Sequence, residues 1–429
     1  MKKNLSIFSI ILSCLLFAGL MTSCDNDNPY QLKKDDIKIE VPDGGFVIQV
    51  DQLLKIKVSG ISDEGLAYEW FIDGESISRT KDLEHFFESA GEYKLTLKVT
   101  QGKKIFEYPI TVKVIIGGVS PTPKPEATAY ITKVLDYMPG VGQFVNKLPK
   151  YDPGDTQEKM NEKVLASIGN NARGLITLGG FGGYVVVGFD HTIQNIEGKR
   201  DFRVLGNAFY ATGNPDPDAP EGGSCEPGVI MVAYDVNKNG LPDDNEWYEI
   251  EGSAHADVTK EPWYEKAKKA GNNVHLYRDC EITYHKPKQE PETSEEKEKY
   301  VRWEDNKGNS GFKVKNPYHN QPYFPLWVKG DKLVLKGTCL PQNGINESEG
   351  STPYFVLYKF RYGYADNELN TKDDSAIDIS WAVNERGQKV HLPGVDFIKV
   401  YTGVNQENGW LGECSTEIMG IEDLHILGK

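Results

Sequence analysis

Val229-Ile-Met-Val-Ala-Tyr-Asp235-Val-Asn-Lys-Asn-Gly240-Leu-Pro-Asp243-Asp-Asn-Glu246-Trp-Tyr-Glu-Ile250 sets a dense run of oxygen-bearing side chains between two apolar, strand-like runs. Numbered from Asp235, the positions 1, 3, 5, 9 and 12 are Asp235, Asn237, Asn239, Asp243 and Glu246; Gly240 stands at 6, and Leu241 offers its carbonyl at 7. A hard cation such as Ca2+ takes about six to eight oxygen ligands, and a glycine at the sixth position permits the turn that converges them. Pro242 at position 8 departs from the helix–loop–helix version of this loop, and the flanks at 229–234 and 247–250 read as strands. The stretch therefore predicts an ion-binding loop carried between two β-strands. An ion there neutralises clustered carboxylates and stiffens a long turn, so the expected cofactor is a structural Ca2+.

Working outward, the region 127–429 repeats the strand signature at 183–189, 202–205, 332–335, 354–358, 377–383 and 395–400. One helix is expected after Asp155 as N-cap, with Glu158 three residues on and Met160, Val164, Leu165 and Ile168 along one face. A second is expected from Pro262 to Gly271. Residues 286–300 are charged and poor in large apolar side chains, which predicts a solvated excursion. The fold class is mainly β: a large, jelly-roll-like β-sandwich with a few helices.

Toward the N-terminus, residues 117–126 form a Pro-rich linker. Residues 37–116 carry short alternating runs split by turns such as Asp73-Gly74. Tyr68-Glu-Trp70-Phe-Ile-Asp73-Gly74 and Ala90-Gly91-Glu-Tyr93-Lys-Leu-Thr-Leu resemble a PKD-type immunoglobulin-like domain, with Trp70 as the core tryptophan and Tyr93 at the start of a late strand. The resemblance implies a spacer. Residues 25–36 are polar and read as a tether. Residues 1–24 read as a signal peptide: Lys2 and Lys3, then an apolar run from 7 to 20 too short to span a bilayer. Leu20-Met-Thr-Ser-Cys24 resembles a lipoprotein lipobox, which implies lipidation at Cys24, and the following Asp-Asn-Asp-Asn resembles the export tag of Bacteroidetes surface lipoproteins. The expected location is the outer membrane, cell-surface side, lipid-anchored.

The formal charge of −15 disfavours nucleic acid and anionic lipid surfaces. Outside the signal segment four cysteines remain, Cys225, Cys280, Cys339 and Cys414, which allow two disulfides in three pairings or four buried thiols. Their spacing is not that of a zinc ribbon.

Gly-x-Ser-x-Gly and His-Glu-x-x-His are absent from the sequence, and no two histidines are spaced as a close metal pair. Gly179-Gly-Phe-Gly-Gly-Tyr leads into a strand rather than a helix, so it reads as a tight turn and not a phosphate loop. For a glycan-cleaving carboxylate pair the candidates are Glu226, Glu249, Glu251, Asp378 and Glu413. Among the many aromatics, Trp263, Tyr264, Tyr318, Tyr323 and Trp410 fall in irregular segments and are the candidate ligand-binding platform, set against core packing as the alternative.

Several phrases carry a wider resemblance: Pro139-Gly-Val-Gly-Gln-Phe-Val-Asn146, Leu178-Gly-Gly-Phe-Gly-Gly-Tyr184, Gly206-Asn-Ala-Phe209, Glu226-Pro-Gly, Asp396-Phe-Ile-Lys-Val-Tyr401 and Gly409-Trp-Leu-Gly-Glu413. Together they resemble PKD-containing cell-surface lipoproteins of gut Bacteroidetes. The one departure is Cys225 before Glu226, where a small residue is expected. The resemblance implies a non-enzymatic protein that captures a small molecule for an outer-membrane transporter, with cobalamin or another corrinoid as the named candidate. The alternatives are a glycan-binding or glycan-cleaving surface protein and a protein-binding adhesin.

Overall fold

The computed structural model describes residues 32–42, 45–50, 52–60, 65–115, 123–211, 220–348 and 350–429. The signal segment, Cys24, most of the tether and residues 117–122 of the linker lie outside the described residues.

The N-terminal unit is a PKD-like β-sandwich. Its main sheet runs Phe46–Gln49, Lys104–Ile115, Gly91–Gln101, Ala67–Ile72 and Glu75–Ser78, and a second layer pairs Leu53–Ile56 with Leu83–Phe86. Alternation drives this: on Gly91–Gln101, Leu95, Leu97 and Val99 point inward and the residues between them do not. Trp70 is fully buried at the centre and donates its indole N–H to the carbonyls of Thr80 (3.2 Å) and Lys81 (3.1 Å). Tyr93 hydroxyl donates to Ser89 O at 2.8 Å. Leu32 is buried in the same cluster, so the packed unit includes a residue expected in the tether.

The larger β-sandwich is built on a six-stranded antiparallel sheet in the order Lys133–Met138, Tyr184–Gln194, Gly394–Thr402, Gly228–Ala233, Trp247–Ile250 and Ala382–Val383. These central strands are buried on both faces, which is why they read as continuous apolar runs. Val185, Val187, Ile230, Val232, Ile398 and Val400 face one layer, joined by Met160, Val164 and Ile168 of the helix Gln157–Ile168. Val229, Tyr401 and Tyr184 face the other, which two four-stranded sheets cover. One of these contains Tyr277–His285 and Lys332–Cys339; the other contains Gly222–Ser224 and Phe355–Tyr358.

The helix start differs by one residue from expectation. Thr156 is the N-cap, accepting from Lys159 N–H at 3.4 Å, because Asp155 instead accepts from Asp152 N–H at 2.7 Å and pairs with Lys163. The second helix spans only Tyr264–Lys269, and Gly271 follows at φ +87°. In the 286–300 excursion, the short helix Ser294–Glu298 is capped by Thr293, and Tyr300 anchors it by packing on Tyr323 at 5.4 Å. All four cysteines are free thiols here.

The two units touch at the ion-loop candidate. Gln52 donates to the carbonyl of Asn245, Lys57 lies 3.7 Å from Asp244, and the Arg386 guanidinium lies 3.7 Å from the ring centroid of Phe86.

Candidate functional site

Chain segments far apart in sequence meet around a cleft of about 450 Å3. Its size falls in the range of small-molecule sites, about 300–1,000 Å3. Gln143 and Phe144 come from the turn after Lys133–Met138, Asn316, Tyr318 and His319 from the loop after the strand Ser310–Lys313, and Trp410, Leu411 and Glu413 from the turn after Gly394–Thr402. Asn207, Ser224 and Glu226 close the fourth side.

Glycines make the walls fit. A Cβ on Gly183 would lie 1.9 Å from Leu178 O and 2.0 Å from Gly140 N, so the expected tight turn is also a close backbone crossing. A Cβ on Gly142 would lie 2.4 Å from Glu413 Oε1. Hydrogen bonds then lock the segments together. Asn316 Nδ2 donates to Trp410 O (2.8 Å) and Gln143 Oε1 (3.2 Å), Gln143 Nε2 donates to Leu411 O (2.6 Å), and Gln143 N–H donates to Glu413 Oε1 (2.6 Å). Phe144 and His319 make an edge contact at 4.8 Å.

Two expected platform residues come together here. Tyr318 is 80 % exposed and Trp410 is 56 % exposed, and both line the cleft. Trp410 is held in place by donating its indole N–H to Pro353 O at 3.1 Å. Phe209, 58 % exposed, pairs across strands with the cleft-lining Ser224 and therefore flanks the same opening.

The other three expected platform residues do not reach it. Trp263 is fully buried against Phe360, with its indole N–H donating to Lys359 O at 2.9 Å; it is a core residue, and its irregular backbone setting was misleading. Tyr323 is also fully buried; its hydroxyl accepts from Asn316 N–H at 2.9 Å and so supports the cleft from behind rather than facing a ligand. Tyr264 is half-buried and packs on the cluster around Trp263. Of the carboxylate candidates, Glu226 and Glu413 line the cleft. Glu249 lies elsewhere, bound to His255 Nε2 (2.7 Å) and accepting from Tyr401 hydroxyl (2.8 Å); Glu251 pairs with Lys389 (2.9 Å) and Asp378 with Arg200 (2.9 Å).

Glu226 and Glu417 line the cleft floor with Asp366 buried beside them, and each of the three places a carboxylate oxygen within 4.8 Å of the others, an arrangement that can hold a metal ion. Asp366 accepts from the N–H groups of Asn207 (2.7 Å), Ala208 (2.8 Å) and Glu417 (2.9 Å). Glu226 accepts from Ser415 N–H (3.0 Å), and Glu417 accepts from Ser415 hydroxyl (2.8 Å). Among the described residues none of the three forms an ion pair with a lysine, arginine or histidine. Burial, then the Asp366 charge, pushes the Glu226 carboxyl up to about 8; burial pushes Asp366 up to about 7. Glu413 rises to about 8 through burial and the Glu407 charge. Sequence reasoning missed Asp366, Glu417, Asn207 and Asn316, because nothing local marks a residue whose neighbours come from distant segments.

The 235–246 loop folds between the paired ends of Gly228–Ala233 and Trp247–Ile250, where Ala233 faces Trp247. Asp235 accepts from Asn239 N–H (3.0 Å) and Gly240 N–H (2.8 Å), and Gly240 sits at φ +78°. Asn237 and Asn239 donate to Asp243 Oδ2 (2.7 and 3.0 Å), and buried Glu246 accepts from Val236 N–H (2.9 Å) and Asp243 N–H (3.1 Å). Burial, with the Asp243 and Asp235 charges behind it, pushes Glu246 up to about 8. The side chain of Leu241 is exposed, leaving its carbonyl as the group it would contribute. Among the described residues the set that brings three carboxylate ligand atoms within 4.8 Å is the cleft-floor cluster and not this loop.

A family model described as a PKD-like domain matches residues 35–101. No curated protein matches the chain. Among solved structures, a quinoprotein alcohol dehydrogenase-like protein from Bacteroides thetaiotaomicron is 11 % identical over 37 % of this chain and 34 % of its own, with a TM-score of 0.16. The chain thus spans about a third of that protein. The SusE-like protein BT2857 is 7 % identical, covering 91 % of this chain and 97 % of its own, with a TM-score of 0.22. The SGBP-B of a Bacteroides ovatus mixed-linkage glucan utilization locus, solved with a mixed-linkage heptasaccharide, is 13 % identical over 86 % of this chain and 100 % of its own, with a TM-score of 0.18. TM-scores this low leave the function to be argued from the chain's own residues.

Proposed function

We propose that this chain is a non-catalytic surface protein that binds a glycan in the cleft between Tyr318 and Trp410. One observation carries the reading: two exposed aromatic rings line a cleft that also presents amides and carboxyls, among them Gln143, Asn207, Asn316 and Glu226, beside apolar residues such as Leu148 and Leu357. A sugar ring has an apolar C–H face that stacks on an aromatic side chain and an edge of hydroxyls that both donate and accept hydrogen bonds. The cleft offers both kinds of surface, held rigidly by the Gln143–Asn316–Trp410 hydrogen bonds. A corrinoid is a much bulkier ligand than one or two sugar rings, so at about 450 Å3 the cleft suits the glycan better. Calorimetric titration with a glycan panel and with cobalamin separates the two. Heat with a glycan that is lost in Trp410→Ala supports the proposal; heat with cobalamin alone overturns it.

The same proposal places the chain on the cell surface, lipid-anchored through Cys24, with the 37–116 unit as spacer and an outer-membrane transporter as partner. We also propose Ca2+ in the 235–246 loop as a clamp. The ligand-like spacing, the left-handed Gly240 and the backbone N–H groups that fold the loop around Asp235 and Glu246 support it.

A further inference from the structure

The sequence leaves three pairings open for Cys225, Cys280, Cys339 and Cys414. The fold removes most of that freedom. Tyr277–His285 and Lys332–Cys339 are antiparallel neighbours, with Tyr277 opposite Cys339 and Cys280 opposite Gly337 across a register shift. That register sets Cys339 diagonally across from Cys280, two positions beyond Gly337, and the two thiols interact with one another. Cys280 is buried; Cys339, at the end of its strand, is half-buried and so within reach of solvent. Cys414 lies in the separate cluster around Trp263, and Cys225 is buried at the end of Gly222–Ser224.

We propose that Cys280 and Cys339 are a redox pair that closes into a cross-strand disulfide, while Cys225 and Cys414 stay thiols. In the step, the two thiols lose two protons and two electrons to an external small-molecule or protein disulfide. That disulfide leaves as two thiols, and one S–S bond forms in this chain. The Cys339 side chain pulls the Cys280 thiol below its usual range against the effect of burial, while Cys280 and burial hold the Cys339 thiol well above its own, so Cys280 is the member of the pair that favours the thiolate. The consequence reaches the cleft: residues 280–339 include Asn316, Tyr318 and His319, so the bond ties together both ends of the segment that supplies one wall. That consequence rests on the proposed binding role; the pairing does not.

The test is to oxidise the purified protein with oxidised glutathione, unfold it in urea while blocking remaining thiols with N-ethylmaleimide, digest it and map the peptides. The expected result is a crosslinked peptide joining Cys280 to Cys339, with Cys225 and Cys414 alkylated, and a melting temperature that falls on reduction. Cys339→Ser should abolish both the crosslink and the shift on reduction; Cys280→Ser repeats the test if that variant fails to fold. Alkylation of both Cys280 and Cys339 after oxidation, or a crosslink involving Cys225 or Cys414, overturns the pairing. Trp410→Ala leaves the crosslink intact, so failure of the binding proposal and failure of this one are read separately.

Discussion

The side-chain amide of Asn316 donates to the backbone carbonyl of Trp410 at 2.8 Å, so the segments that present Tyr318 and Trp410 are fastened directly to each other. The same amide also reaches Gln143 Oε1 at 3.2 Å, which ties in the third wall. Asn316→Ala would leave two partly buried acceptors without their donor, costing about 1–3 kcal/mol of stability. We expect a lower urea midpoint with an unchanged slope, together with weakened ligand binding. A variant with wild-type stability and affinity would show that the amide holds nothing.

Removal of divalent cations should lower the melting temperature, and added Ca2+ should restore it in a concentration-dependent way. Asp235→Ala should abolish the response, because it removes the first oxygen ligand and the acceptor for Asn239 and Gly240 N–H. Glu417→Gln distinguishes the cleft-floor cluster: if that variant alone loses the response, the ion sits there and not in the loop.

The buried acids give a defined pH dependence. Glu226, Glu246 and Glu413 rise to about 8 from 4.5, and Asp366 to about 7 from 3.8. Each then binds more protons folded than unfolded, so its stabilising contribution is complete below the unfolded value and is lost as pH rises through the folded one. His425, raised first by its hydrogen bond to Asp201, acts in the same direction above 6.5. Without divalent cations the melting temperature should therefore fall between about pH 5 and pH 8. Glu226→Gln should flatten the slope. A profile that rises over this window would contradict the burial of these groups.

Close backbone crossing behind the cleft predicts that Gly183→Ala is destabilising. The new methyl would meet backbone atoms of Leu178 and Gly140, which cannot swing aside as a flexible side chain would. A loss of about 1–3 kcal/mol is expected from overpacking of this kind, read by urea unfolding.

How much of this was legible beforehand follows from the range of the forces involved. Strand positions came through because alternation and apolar runs are local: the run read at 229–234 is the strand Gly228–Ala233, and 247–250 is Trp247–Ile250. That 235–246 is a loop joining these two paired strands was legible for the same reason. Exposure was not. Trp263 and Trp410 both sit in irregular segments, yet one is packed under Phe360 and the other opens on the cleft, a difference set by tertiary contacts. The acidic cluster was invisible for a related cause, since Asp366 meets Glu226 and Glu417 only through the long-range Gly228–Ala365 bridge and the backbone N–H groups of Glu226 and Glu417 that it accepts from. The helix cap shifted from Asp155 to Thr156 because Lys163 and Asp152 claim the Asp155 carboxylate, a competition that the capping pattern does not contain.

The central claim is that Tyr318 and Trp410 form one ligand platform. Calorimetric titration of wild type, Trp410→Ala and Tyr318→Ala with whichever glycan of the panel binds tests it most directly. Each loss of a stacking ring should weaken binding about tenfold, roughly 1.4 kcal/mol, with folding intact by melting temperature. Glycan binding that both variants retain at wild-type affinity would contradict the account.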